Sequence, residues 1–361
     1  MPKLYSRRFA LGALGALPLS KAIAGGAIIG EGIVNLAPPS GPPPTCPGTN
    51  VITAFGATGN GTTDDTVALQ NAANSGQTLY FPNTANFYKI TSVITLQNSV
   101  CSDGGEVRIA QDSSLGKSIF RVQENSSPLS IKGFILNGLY TTGTAGEASM
   151  GIELRSANNI TIDSNTIKNC YGDCIYLGMS DGAIPNTDIT ITNNILTNPR
   201  RDCITVIFGD GVLIQSNTLN KTVDYVTGID LEPNDDGFSY IKNITIDDNI
   251  IDCPASCIEN CCAFVGGAVP GIVVSNNTAT GLQFFWTSTS QSMTGPHFTA
   301  NNWTCTNPAV SSPRPGRFFN LTNATACVLT NNIDHTVKLA GQPYFSLGGN
   351  STCTESGNTF I

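Results

Sequence analysis

Charge is scarce in this chain of 361 residues. Asp, Glu, Lys and Arg together make up 12% of it, about half the ~25% of an ordinary soluble protein. Surface helices draw heavily on Lys and Glu, so a mainly helical protein is disfavoured. There are 2 histidines, His297 and His335. So few imidazoles argue against a histidine-built metal centre or a His-activated nucleophile. Neither zinc-ligand spacing nor a phosphate-cradling glycine loop occurs. With 26 acidic against 18 basic residues the formal net charge is -8, and the basic patches of a nucleic-acid partner are missing. Gly, Asn, Thr and Ser fill the space around a hydrophobic fraction of 40%. That composition suits many short strands joined by turns.

At the N-terminus, Lys3, Arg7 and Arg8 precede an apolar run from Phe9 to Leu19, and Ala22-Ile23-Ala24 follows as a small-x-small cleavage site. This is the layout of an export signal. The run is too short for a permanent membrane anchor, so no membrane span is expected. The SRRF start resembles a twin-arginine signal, and Lys21 after the apolar run fits that route. The expectation is a periplasmic or secreted bacterial protein. Residues 1–24 would be the signal peptide and 25–49 a proline-rich linker, APPSGPPPTCPG lying within it. Residues 50–361 would form one domain, with a cap over 50–100, regular coils over about 101–285 and a less regular part over 286–361. The 12 cysteines of an exported chain read as disulfides rather than metal ligands, with the pairing left open.

The cap is read as a strand at Val51 to Phe55, a helix from about Asp64 to Asn74 and a strand at Thr78 to Phe81. Asp64 and Asp65 sit where acids favour a helix start, so they cap rather than catalyse.

The middle of the chain repeats. NITIDSNTI, DITITNNIL, GVLIQSNTL, NITIDDNII and GIVVSNNTA align on Asn165, Asn194, Asn217, Asn249 and Asn277, with Phe134 in the same place one repeat earlier. Alternating β-branched residues at this period predict a solenoid whose stacked coils bury a shared core. The asparagines would hydrogen-bond along the stack. A second series, GIELR, CIYLG, CITVI, GIDLE and CIENC, aligns on Ile152, Ile175, Ile204, Ile229 and Ile258. If those isoleucines face in, alternation sends two columns outward. One is Glu153, Tyr176, Thr205, Asp230 and Glu259; the other is Arg155, Gly178, Ile207, Glu232 and Cys261. Cys174, Cys203 and Cys257 are read as a further outward column beside Gly228.

Adjacent parallel strands lie about 4.8 Å apart, and outward neighbours along one strand about 6.6 Å. Asp230 therefore has Glu232 beside it on its own strand and Glu259 beside it on the next coil. Crowded carboxylates divide into acid and base, as glycosidic cleavage requires. Asp230 is the expected base or nucleophile and Glu232 or Glu259 the acid; side-chain length leaves retention and inversion both open. Arg201, Asp202 and Asp173 would border the same groove, and Tyr176 and Tyr225 would stack on a sugar face. Asp235 and Asp236 read as a turn. No cofactor is required, and calcium at that turn is the one ion its oxygens would suit. Phe284, Phe285, Trp286 and Trp303 read as core or end-capping.

The order Gly172-Asp173-Cys174-Ile175, Arg201-Asp202-Cys203-Ile204 and Gly228-Ile229-Asp230-Leu231-Glu232-Pro233-Asn234 resembles that of right-handed parallel β-helix proteins of the pectate-lyase superfamily. The N-terminal strand, acidic helix start and "fP" strand resemble the cap of the same superfamily. The resemblance spans roughly residues 50 to 280 and implies an all-β, single-stranded right-handed parallel β-helix with a short N-terminal capping helix. It implies a polysaccharide or oligosaccharide partner, with Asn234 among the binding residues. The GHG and RIK motifs of polygalacturonases are absent, and SSPRPGR (311–317) only mimics the arginine loop of calcium-dependent pectate lyases. The reading is an exported glycoside hydrolase. The alternatives are a lyase or epimerase on a uronic-acid polymer, with Arg201 neutralising the substrate carboxylate, and a non-catalytic glycan-binding surface protein.

Overall fold

The computed structural model describes residues 46–361 other than 110–116, 126, 144–147, 181–183, 222–226, 235, 237, 254–255, 261–268, 282, 288–292, 306–316, 336–344, 350 and 361. At 256, 259–260, 283, 286–287, 305, 317, 320, 345–346 and 360 it describes the backbone alone. The export signal, most of the linker, Tyr225, Asp235 and Cys261 thus lie outside the described residues.

Each coil contributes one short strand to each of three parallel sheets, of 12, 10 and 11 strands. Ile152–Arg155, Asn158–Asp163 and Thr166–Lys168 are one such set, and Ile175–Gly178 begins the next coil. The alternation is the reason for the core. Ile160, Ile162, Ile189, Ile191, Ile214, Ile244, Ile246 and Ile272 point inward and are buried. Each such side chain stabilises the stack by about 1.5–3 kcal/mol relative to an exposed one. The stack runs on beyond Phe285, through Asn302–Cys305 and Cys327–Thr330 to Thr359–Phe360. Phe284, Phe285 and Trp303 belong to this core, with Trp303 stacked on Phe318 at 5.5 Å between ring centroids.

The matched asparagines form a continuous ladder. The side-chain amide of Asn165 donates to Asn194 Oδ1 at 3.0 Å, Asn194 to Asn217 at 3.0 Å, Asn217 to Asn249 at 3.0 Å and Asn249 to Asn277 at 2.9 Å. It continues through Asn301 and Asn332 to Asn358. Each Oδ1 also accepts the backbone N–H of the previous rung, beginning with Phe134 N at 3.0 Å. The residue before each rung carries the bend: Ser164, Asn193, Ser216, Asp248 and Asn276 all have φ between 53° and 57°. Small polar residues tolerate this left-handed conformation, which explains the Ser/Asn/Asp-Asn doublet of these five repeats.

Two expectations need correction. Val51–Phe55 is a helix, not a strand. The Asn50 side chain accepts from Ile52 N and Thr53 N, and Gly56 closes the helix in the left-handed conformation at φ 76°. Both ends are capped, and this outweighs the strand preference of β-branched residues. The second helix is Thr66–Ala73. Asp64 accepts from Thr66 N at 3.0 Å, while Asp65 is buried and ties down the glycine loop through Thr58 N at 2.6 Å and Gly59 N at 3.0 Å.

The second correction concerns cysteine. Cys174, Cys203 and Cys257 face the core, as do Cys170 and Cys253. A β-carbon added at Gly228 would meet Ile251 Cγ2 at 2.8 Å and Cys253 Sγ at 3.1 Å, so this corner packs inward. Cys46 and Cys101 form a disulfide. Cys170, Cys174, Cys203, Cys253, Cys257, Cys327 and Cys353 are thiols.

Candidate functional site

The ten-stranded sheet sets the candidate residues in register. Glu153 pairs with Tyr176, Tyr176 with Thr205, Thr205 with Asp230 and Asp230 with Glu259. One register column therefore runs across five successive coils, and Arg121 extends it one coil back. Asp230 and Glu259 lie opposite each other on adjacent strands, and the Glu259 side chain is not described. Glu232 continues the Asp230 strand, its N–H donating to Val206 O at 2.9 Å.

Outward does not mean open. Asp230 is 7% exposed, and Glu153 and Thr205 are buried. Solvent meets this face at Glu232 and Arg201, whose side chains are 27% and 26% exposed. The two approach to 3.8 Å between Glu232 Oε2 and Arg201 Nη2. Asn234 follows in the loop and is half-buried.

Behind Arg201 lies a charged cluster inside the coil. Asp173 is 0% exposed. Its Oδ1 accepts the N–H of Asp202 at 2.9 Å and sits 3.6 Å from Arg201 Nε. Its Oδ2 is buried with no hydrogen-bond partner. Asp202 is buried too, its Oδ1 accepting from Thr227 N at 2.7 Å. Arg201 thus spans the gap between a buried acid on one side and the half-exposed Glu232 on the other.

Electrostatics follow from that placement. Burial, and then the neighbouring Asp173, push the Asp202 carboxyl up to about 7. Asp173 pulls the Arg201 pKa upward against the cost of burial, so the guanidinium stays charged. Burial raises the Tyr176 phenol above its ordinary range, with Asp173 adding to the effect. The Tyr176 ring lies over Gly178 and leaves no room for a β-carbon there.

Two features escaped the sequence reading. Lys221 is buried, and its Nζ donates to the carbonyls of Arg200 and Arg201. Burial lowers its pKa, although Asp202 opposes that. In a chain so poor in lysine, one directly after the strand Thr218–Asn220 was the available signal. The other feature is the saturation of Glu153. It accepts from Ser118 Oγ at 2.8 Å, Arg121 Nε at 2.8 Å and Arg155 Nε at 2.6 Å. This acid is fully committed to structure. Asp236 is likewise committed, accepting from Phe238 N at 3.0 Å and Ser239 N at 2.7 Å in a turn.

Residues 147–303 match the family described as right handed beta helix region. No curated protein matches the chain. Among solved structures, the N-terminal fragment of bacteriophage Phi29 gene product 12 is similar at TM-score 0.68 and 15% identity, over 87% of this chain and 57% of that one. The surface protein and adhesin PfbA of Streptococcus pneumoniae is similar at TM-score 0.60 and 14% identity, over 86% of this chain and 96% of that one. A hyperthermoactive exopolygalacturonase from Thermotoga maritima is similar at TM-score 0.61 and 12% identity, over 86% of this chain and 91% of that one. This chain spans 62% of the length of another similar structure, the Dettilon tailspike protein. The alternating strands, the asparagine ladder and these likenesses agree on the fold: the chain is a right-handed parallel β-helix.

Proposed function

We propose that this protein is an exported carbohydrate-active enzyme, a glycoside hydrolase that acts on a poly- or oligosaccharide at the Arg201–Glu232 edge of the ten-stranded sheet. The observation that carries the reading is the register of Asp230 against Glu259, with Glu232 continuing the Asp230 strand beside Arg201. The backbone register of these acidic residues on two neighbouring coils supports the pairing of acid and base that cleavage of a glycosidic bond requires. Asp230 serves as base or nucleophile, and Glu232 or Glu259 as the acid. Arg201 positions Glu232. Asp173 and Asp202 act on substrate through Arg201, Tyr176 and Asn234 line the approach, and Tyr225 is assigned to sugar stacking from the sequence alone.

Hydrolysis is favoured over elimination by the state of Arg201. A lyase needs a cation for the substrate carboxylate, whereas this guanidinium already faces Asp173 and Glu232. The fold likeness to an exopolygalacturonase makes a glycan substrate a natural choice, and the likeness to an adhesin keeps simple binding as the outcome to test against.

The test is a panel of neutral and acidic polysaccharides assayed with wild type and Asp230→Asn. The expected result is release of reducing ends without absorbance near 235 nm, reduced roughly 10²- to 10⁴-fold in the variant. Absorbance at that wavelength would convert the reading to a lyase. Binding without turnover, equal in both proteins, would convert it to a binding module.

A further inference from the structure

The two edges of the twelve-stranded sheet are Thr49–Asn50 and Cys353–Ser356. A solenoid coil is stabilised by its neighbours, so an end coil has half the support of an inner one. The first edge is tethered: Cys46, close before Thr49, is bonded to Cys101 on the strand Val100–Ser102. The last edge is the more exposed, with Thr354, Glu355 and Ser356 all open to solvent. Yet Cys353 at its start packs against the core, and its register partner on the preceding coil is Cys327. We propose that Cys327 and Cys353 are a second cross-coil disulfide site, which staples the C-terminal edge as Cys46–Cys101 staples the N-terminal one.

The geometry meets the requirement. Aligned residues of neighbouring parallel strands lie about 4.8 Å apart, within the ~4.4–6.8 Å that a disulfide spans. The backbone fixes the pairing, since Cys327 N donates to Thr352 O at 2.9 Å and Ala326 N to Thr352 Oγ1 at 2.9 Å. The two thiols share a hydrogen bond, and that contact lowers the Cys353 pKa. Access divides their roles. Among the seven described thiols, Cys353 is the one that is not buried. Its thiolate attacks a small-molecule disulfide and releases one thiol, forming a mixed disulfide. Cys327, buried beside it, then gives up its proton and displaces the second thiol, closing the Cys327–Cys353 bond. Two protein thiols are oxidised and one external disulfide is reduced to two thiols. Cys170, Cys174, Cys203, Cys253 and Cys257 are fully enclosed and serve as packing.

The experiment uses the full chain, incubated with oxidised glutathione and mapped by mass spectrometry without reduction; the Cys46–Cys101 peptide is the internal control. The expected map contains a Cys327–Cys353 peptide. Cys327→Ser should accumulate a glutathione adduct on Cys353, and Cys353→Ser should leave Cys327 reduced. In the oxidised wild type, amide exchange across 353–356 should slow by roughly a hundredfold relative to the reduced form. Recovery of both thiols free, or of either joined to Cys261, Cys262 or Cys305, would overturn the assignment. Equal exchange in both forms would overturn the staple.

Discussion

The asparagine ladder and the acidic column run along the same stack but use repetition in opposite ways. In the ladder every rung is the same residue, and every amide is satisfied on both sides, as where Asn217 donates to Ile191 O at 2.8 Å and accepts from Asn194 N at 2.9 Å. In the column the residue changes from each coil to the next: Glu153, Tyr176, Thr205, Asp230 and Glu259. Some of its atoms, or those just behind it, are left unsatisfied, including Thr205 Oγ1 and Asp173 Oδ2. A solenoid needs only some of its corners to hold the stack. Where the chain repeats itself the residues serve the coil; where it varies they are released to serve something else.

The sharpest way to break this contrast is to damage a middle rung. Asn217→Ala strands the Asn194 N–H and the Ile191 carbonyl in the core, and it cuts the side-chain link to Asn249. At roughly 1–3 kcal/mol for each orphaned group, urea unfolding should show a loss of about 4 kcal/mol. Glu232→Gln beside the column should cost little stability, because Glu232 is half-buried. Its catalytic loss should match that of Asp230→Asn in rank. A Glu232 variant that unfolds while retaining specific activity would erase the distinction.

Asp202 gives a subtler test through pH. Its carboxyl, raised from 3.8 to about 7, binds a proton more tightly in the folded than in the unfolded state. The stability this contributes is full below about pH 4, declines as pH rises toward 7 and is gone above that. Burial raises Asp163 and Asp247 as well, but hydrogen bonds outweigh it and hold both below their usual range, so they produce the opposite slope at lower pH. Urea midpoints of Asp202→Asn minus wild type, measured from pH 4 to 8, should therefore rise across this window and then level. The smallest effect is expected at Thr205. Its buried hydroxyl has no partner, and Thr205→Val should gain about 1 kcal/mol. A simultaneous loss of turnover would show that the hydroxyl is kept for the substrate.

The recurring Asn-Thr and Asn-Asn doublets made the ladder legible, because one amide at one bend must meet its copy in the next coil. Alternation made the column legible in the same way, and the register of Asp230 with Glu259 follows from aligning two isoleucines. What covers the column was not legible. Alternation tells which side of the sheet Asp230 takes, but its 7% exposure depends on surroundings beyond its own strand. The cysteines at the Gly228 corner misled for a related reason. Alternation holds along a strand and lapses at the bend before it, so the corner turns its side chains inward. Val51–Phe55 misled because two caps a few residues apart decide a short helix more strongly than its own side chains do.

The ladder also has a direction. Every asparagine-to-asparagine link from Asn165 to Asn332 donates toward the next coil, while the other N–H of each amide holds a backbone carbonyl of the previous one. Dipoles aligned this way polarise one another, so each link gains from the length of the row on either side. Interrupting the row at its midpoint should therefore weaken distant links as well as adjacent ones, and the solenoid should behave as a spine whose parts know how long it is.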